Sequence, residues 1–164
     1  MRRALVLAAG LAVLAGVNWT IAARETLLRD GRVELLELAP VDPRSLLQGD
    51  YMALRFQVAG EAFPRIPAGA VRDGHLVVHV DADGVGTFRR LDDGTPLAAD
   101  EVLLRYRWRG GVPRLATNAY FFEEGRGRQF SEARYGEFRV APGGEAILAG
   151  LRDQARAPLG PRAP

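Results

Sequence analysis

Four groups of residues in this chain carry side chains that could do chemistry. Glu123 and Glu124, beside Arg126 and Arg128, offer a carboxylate pair of the kind general acid–base catalysis uses. Asp50, just before a strand-like run, is a further acid that a hydrolase could employ. His75 and His79 are the only two histidines, and imidazole is both a proton shuttle and a metal ligand. Asp81-Ala82-Asp83-Gly84 has the opening spacing of a calcium loop. Each also has a plainer account. The two histidines share one strand face, but four residues of strand hold them about 13 Å apart, too far to grip one ion without a bend. The Asp81 segment lacks the remaining ligands and the closing Glu of an EF-hand, and reads as a hairpin turn. Glu123 and Glu124 read as a solvated loop with local ion pairs, worth little energetically. No metal and no cofactor is expected.

Composition removes several reaction classes outright. All 22 basic residues are Arg and none is Lys, so a lysine base, a Schiff base or a Ser-Lys dyad is unavailable. Cysteine is absent, which excludes disulfides, thiol nucleophiles and zinc–thiolate sites. No Ser-His-Asp or phosphate-cradling constellation can be assembled by spacing. The formal charge of +2 sits at the very start of the chain: without Arg2 and Arg3, 20 Arg face 20 acids. The basic balance therefore carries no warrant for nucleic-acid binding. Arginine without lysine, with abundant Ala, Gly and Pro, reads as a GC-rich bacterial coding sequence.

The elements that must position these groups begin with an apolar helix. Ala4 to Ala23 contains no charged residue, with Asn18 and Thr20 polar near its far end. About 20 apolar residues suffice to cross a hydrocarbon layer of about 30 Å, and Trp19 stands where an interfacial aromatic belongs. The rival reading is a cleaved signal peptide ending near Ala22 or Ala23. The anchor is preferred because the apolar run exceeds a signal h-region and the helical pattern continues to Gly31, a natural stop. With Arg2 and Arg3 held in the cytoplasm, the expected orientation is N-in, C-out in the bacterial inner membrane. Residues 4–23 are the expected contact with the bilayer.

Beyond Gly31 the pattern turns to period two. Val33 to Leu38 is a short strand. Met52, Leu54, Phe56 and Val58 alternate with Tyr51, Ala53, Arg55 and Gln57 as in a half-buried strand. His75–Val80, Val85–Leu91 and Glu101–Arg109 follow, with Asp/Gly turns between the first two and after the second. Leu115 to Phe122 is apolar on both faces and reads as a central strand. Ser131 to Tyr135 reads as one helical turn, then Phe138–Val140 and Ala146–Leu151 as a last hairpin. The expected fold class is all-β, a single antiparallel domain (meander, sandwich or small barrel) after one transmembrane helix. The expected domains are residues 1–31, the anchor and its extension; 32–152, the extracytoplasmic β-domain; and 153–164, a disordered tail rich in Pro, Ala and Arg.

The most distinctive stretch is Pro40 to Phe56. Gly49-Asp50-Tyr51-Met52-Ala53-Leu54-Arg55-Phe56, with Phe in place of a final Tyr, resembles the pattern that names the bacterial GDYXXLXY family. The likeness extends upstream through Leu38-Ala39-Pro40-Val41-Asp42-Pro43-Arg44-Ser45-Leu46-Leu47-Gln48, and downstream to Tyr120-Phe121-Phe122-Glu123-Glu124-Gly125. It implies a membrane-anchored protein that partners multi-pass membrane proteins, and it supplies no catalytic residue. A fainter similarity, Leu-x-x-Gly-Asp leading into a strand after an anchor, is to type I signal peptidases. Their nucleophilic Ser lies further upstream and a Lys activates it. Here Glu37 to Val41 holds no Ser, Ser45 is too close to Gly49, and there is no Lys.

The resulting expectation is a non-catalytic accessory protein that binds an integral membrane partner. Gly49, Asp50, Tyr51, Leu54 and Phe56 are the motif residues, and Asp42, Arg44, Asp50, Tyr51 and Glu124 the candidate interaction surface. The alternatives are a membrane-anchored hydrolase using Asp50 or Glu124, and a periplasmic ligand-binding domain.

Overall fold

The computed structural model describes residues 2–39, 47–48, 51–63 and 73–160. Helix α1 (Arg2–Asp30) runs unbroken through the apolar stretch and on into the charged residues after it. It packs none of its apolar window inside the protein, and Leu5, Leu11 and Trp19 stand open. Its two polar side chains are satisfied on its own backbone: Asn18 Nδ2 donates to the Leu14 carbonyl at 2.9 Å and Thr20 Oγ1 to that of Gly16 at 2.6 Å. That is the form in which polar side chains are tolerated in hydrocarbon. The helix stops at Gly31, whose N–H closes on the Leu27 carbonyl at 2.9 Å; a Cβ there would collide with that carbonyl.

The rest of the described chain is mostly sheet. Its strands are β1 (Arg32–Glu37), β2 (Leu47–Gln48), β3 (Tyr51–Ala53), β4 (Gly74–Val80), β5 (Val85–Leu91), β6 (Glu101–Arg109), β7 (Val112–Leu115), β8 (Ala119–Phe121), β9 (Tyr135–Val140), β10 (Ala146–Arg152) and β11 (Pro158–Leu159). A short helix α2 (Gln57–Ala62) and a 3-10 turn (Gly127–Phe130) complete it. One sheet has eight strands in the order β11-β10-β9-β1-β5-β4-β6-β7, and a second has the order β2-β3-β8. The domain is all-β after one apolar helix, as expected.

The ladders are antiparallel except one: β1 runs parallel to β5, with Leu35 opposite Val85. Parallel neighbours need a long crossover, and the chain between them supplies it by leaving to build β2, β3 and α2 before returning on β4. The large sheet curls. Where β7 ends, the free edge of β6 meets the β9–β10 turn, the Arg105 N–H donating to the Gly144 carbonyl at 2.7 Å. Inside the curl lie Leu36, Leu76, Val78, Leu104, Phe138 and Val140.

The motif segment closes this interior. Met52, Leu54, Phe56 and Val58 are each buried to within a few per cent, in the expected alternation. The continuous strand expected over Tyr51–Val58 is nevertheless only Tyr51–Ala53. Phe56 then bridges Leu38, and α2 starts at Gln57. An extended segment followed by the first turn of a helix buries i, i+2, i+4, i+6 much as a strand does. Helix formers and a Gln57–Glu61 side-chain hydrogen bond of 2.9 Å decide the second half.

Three further expectations are corrected. Leu115 to Phe122 is two strands in different sheets, parted at Ala116, which takes a left-handed φ of 38°. The helical turn lies at Gly127–Phe130 rather than Ser131–Tyr135; Ser131 Oγ donates to the Arg128 carbonyl at its end, and Tyr135 already opens β9. Of the tail expected to be disordered over 153–164, the described part pairs instead: Leu159 lies opposite Leu151 and packs on the core, and Gly160 lies against the Phe130 ring, while 161–164 lie outside the described residues.

The Phe56 ring meets Phe138 edge-on at 5.1 Å, and both lie over Gly136. A Cβ on Gly136 would stand 2.9 Å from Phe56, 3.0 Å from Phe138 and 3.1 Å from Leu148. Gly136→Ala is therefore expected to cost about 1–3 kcal/mol by overpacking, and Phe56→Ala about 3–5 kcal/mol by leaving a cavity. Denaturant unfolding of the full chain in detergent measures both.

Candidate functional site

The small sheet places the motif residues in two roles. Leu54 and Phe56 point into the core and position what precedes them. The Leu54 N–H is held by the Asn118 carbonyl at 2.7 Å and the Ala39 N–H by that of Arg55 at 2.8 Å, which ties the segment on both sides. Gly49 and Asp50, with Asp42 and Arg44, lie outside the described residues. β2 and β3 are antiparallel with Gln48 opposite Tyr51, so the chain reverses between them.

Tyr51 faces the other way. It lies opposite Phe121 in the β3–β8 ladder, and the two rings pack at 5.8 Å with a tilt of 38°. Their neighbours Tyr120 and Phe122 turn inward onto Phe130, at 5.0 and 5.3 Å. Alternation along β8 thus leaves Phe121 outside, 74 % exposed, with Tyr51 half-buried beside it. The pair thus presents one open ring and one half-buried ring side by side at the edge of the small sheet.

Glu124 comes three residues after Phe121, exposed in a loop where the left-handed Gly125 turns the chain. Its neighbour Glu123 pairs with Arg126 at 2.9 Å. The two Glu thus sit on an open loop rather than in a cleft. The histidines are engaged separately, His75 Nδ1 3.9 Å from Asp92 and His79 Nδ1 3.0 Å from Asp100. Asp81 is a turn residue: its Oδ1 accepts from the N–H groups of Asp83 and Val85, both at 2.9 Å, and Asp83 pairs with Arg156. Among the described residues no cluster of three or more acids or histidines could hold a metal.

The structure adds a residue that the sequence reading passed over. Glu34 shares the inner face of β1 with Leu36 and is 2 % exposed. The Arg32 Nε lies 2.7 Å from its Oε1, but the angle makes this an ion pair and not a hydrogen bond, so neither carboxylate oxygen has a hydrogen-bond partner. Burial pushes the Glu34 carboxyl up to about 7, against the opposing pull of Arg32. Glu137, the other buried acid, is provided for: Arg152 Nε donates to it at 2.8 Å. The signal for Glu34 was present, since Leu36 and Leu38 follow it at i+2 and i+4 on the same strand face.

A family model described as GDYXXLXY protein matches residues 13–151 of the chain. No curated protein and no solved structure matches it.

The Glu34 environment gives a pH dependence with a definite sign. Between its ordinary value of 4.5 and its raised value of about 7, the folded chain keeps a proton that the unfolded chain has lost. Glu34 therefore contributes most stability at low pH, loses it as pH rises through that window, and is flat above it. Glu34→Gln is expected to be more stable than the native chain at pH 8 by about 2–3 kcal/mol, with the difference vanishing near pH 5. Unfolding curves for the two chains from pH 5 to 8 test this; a pH-independent difference would refute it.

Proposed function

The chain belongs to the GDYXXLXY protein family, and from that premise we propose that it is a non-catalytic accessory protein anchored in the bacterial inner membrane by α1. Its β-domain stands outside the cytoplasm and docks an integral membrane partner through the outer face of β3 and β8. The observation that carries this reading is the Tyr51–Phe121 pair. One of the two residues belongs to the motif that names the family, and the other is an aromatic left open to solvent. Aromatic anchors of this kind supply most of the energy of a typical interface. The fully exposed apolar helix supports the anchor, because a helix of that length and composition has no stable place in water. Asp42, Arg44 and Asp50, which adjoin β2 and β3 in the sequence, are assigned to the same proposed surface, and Glu124 to its β8 side.

Mild-detergent extraction of the tagged full chain is expected to recover a multi-pass membrane protein in fixed ratio. Phe121→Asp, at a ring that is 74 % exposed, should lower that recovery roughly 30-fold, the scale of a hot-spot loss, while leaving thermal unfolding nearly unchanged. Equal recovery with the variant would sink the proposed surface. For topology, a reporter active only outside the cytoplasm, fused after Leu151, should be active; activity confined to a cytoplasmic reporter would reverse the orientation.

A further inference from the structure

A second surface, away from the small sheet, carries a concentration of positive charge. On β6 the core takes Leu104 and Tyr106, which turns Arg105, Arg107 and Arg109 to the opposite face. Arg114 of β7 lies directly opposite Arg107 in the ladder and shares that face. The helix α1 brings Arg24 to the same place, and together the five arginines line a pocket of about 240 Å³ whose one acid is Glu145. Two of the five are engaged, Arg105 with Glu145 at 3.2 Å and Arg109 with Asp73 at 2.9 Å. Asp73 is further held by the Trp108 N–H at 2.8 Å. Arg24, Arg107 and Arg114 have no ion pair among the described residues.

Such an arrangement is costly on its own. Like charges directly opposite on paired strands destabilise them, and the Arg107–Arg114 pair, which has the Asp73 carboxylate within electrostatic reach of Arg107, is reinforced by the Arg24 guanidinium. An anion between them turns that repulsion into attraction. Guanidinium forks match phosphate oxygens in particular, two donors to two acceptors. The position of Arg24 then says where the phosphate comes from. It directly follows the twenty uncharged residues Ala4–Ala23, and at 1.5 Å per residue these span about 30 Å, the thickness of the hydrocarbon layer. The pocket that contains Arg24 therefore lies at the level of the lipid headgroups.

We propose that the Arg24–Arg107–Arg114 pocket binds the phosphate of an anionic phospholipid headgroup, seating the β-domain against the membrane surface. The inference rests on the reading of α1 as an anchor. Its volume suits a headgroup phosphate, and basic pockets beside spanning helices are how proteins hold such lipids.

The test uses the full chain reconstituted in vesicles of phosphatidylcholine alone and of phosphatidylcholine mixed with phosphatidylglycerol. Flotation after alkaline carbonate washing reports the anchor; native mass spectrometry of the detergent-extracted chain reports which lipid it retains. The native chain should float with both vesicles and retain phosphatidylglycerol preferentially. The double variant Arg107→Gln/Arg114→Gln should still float, unfold no earlier, and lose roughly 30-fold of that preference, the usual contribution of two arginines at an anionic surface. A control at two arginines outside the pocket, Arg55→Gln/Arg128→Gln, should keep it. Undiminished preference in the pocket variant, with flotation intact, would overturn this proposal alone. Loss of flotation from both vesicles would instead remove the anchor and the proposal with it. If inorganic phosphate displaces phosphatidylglycerol and stabilises lipid-free protein equally well, the site takes free phosphate and the lipid assignment falls.

Discussion

The contact of Phe56 with Phe138 above Gly136 is what the remainder of the domain hangs on. A curled sheet of eight strands has an inner face that must be covered, and Met52, Leu54, Phe56 and Val58 of the excursion between β1 and β4 join the core there, together with Phe130 from after β8. Phe56 is where that excursion is fastened: by its ring to β9, and through its bridge to Leu38 to the end of β1. Once it is fixed, Leu54 and Met52 follow into the core on one side and Val58 on the other. Tyr51 is then forced outward. Leu54 and Phe56 of the family motif thus act as one packing constraint, and its by-product is that Tyr51 lies on the outer face.

How much of this could be read from residues alone varies with the length scale of the cause. The inward positions Met52, Leu54, Phe56 and Val58 were legible because period-two burial is a local pattern. The helix that interrupts it at Gln57 was not, because a strand and an extended segment entering a helix bury the same residues over so short a stretch. Leu115 to Phe122 failed differently. A run apolar on both faces was taken to be buried on both, which holds for central strands. Here it is cut by the left-handed Ala116, and its second half lies at an edge with Phe121 in solvent. The apolar excess here reflects Phe121 left in solvent rather than burial on both faces. The parallel β1–β5 ladder and the pairing of the tail depend on which strands meet after collapse, and no local pattern encodes that.

The charged groups divide in the same way. Arg105, Arg107 and Arg109 could be placed on one strand face from spacing, but their meeting with Arg24 and Arg114 needed the fold. Glu34 sat on an alternation face beside Leu36 and Leu38, and its isolation became visible only when, among the described residues, the neighbouring strands proved to offer it no hydrogen bond and its one ion-pair partner was Arg32 of its own strand. Its contrast with Glu137 is instructive: two buried carboxylates on adjacent strands, one provided with an arginine hydrogen bond and one without. The first stabilises the fold where it stands, whereas the second is a standing cost at neutral pH.

The placement of β1 has a consequence for how the chain comes into being. This strand is separated from the helix by Gly31 alone, and yet it occupies the middle of the large sheet, between β5 and β9. A chain emerging N-terminus first therefore presents the central strand directly behind the helix with both of its edges bare. One partner follows only after the β3 excursion, and the other only near the end of the domain. Pairing of this kind is slow because it waits on distant sequence, and an unpaired edge is open to any other strand in the meantime. A chain cut short before Tyr135 would never cover that edge, so the C-terminal strands act as the completion signal of the whole domain.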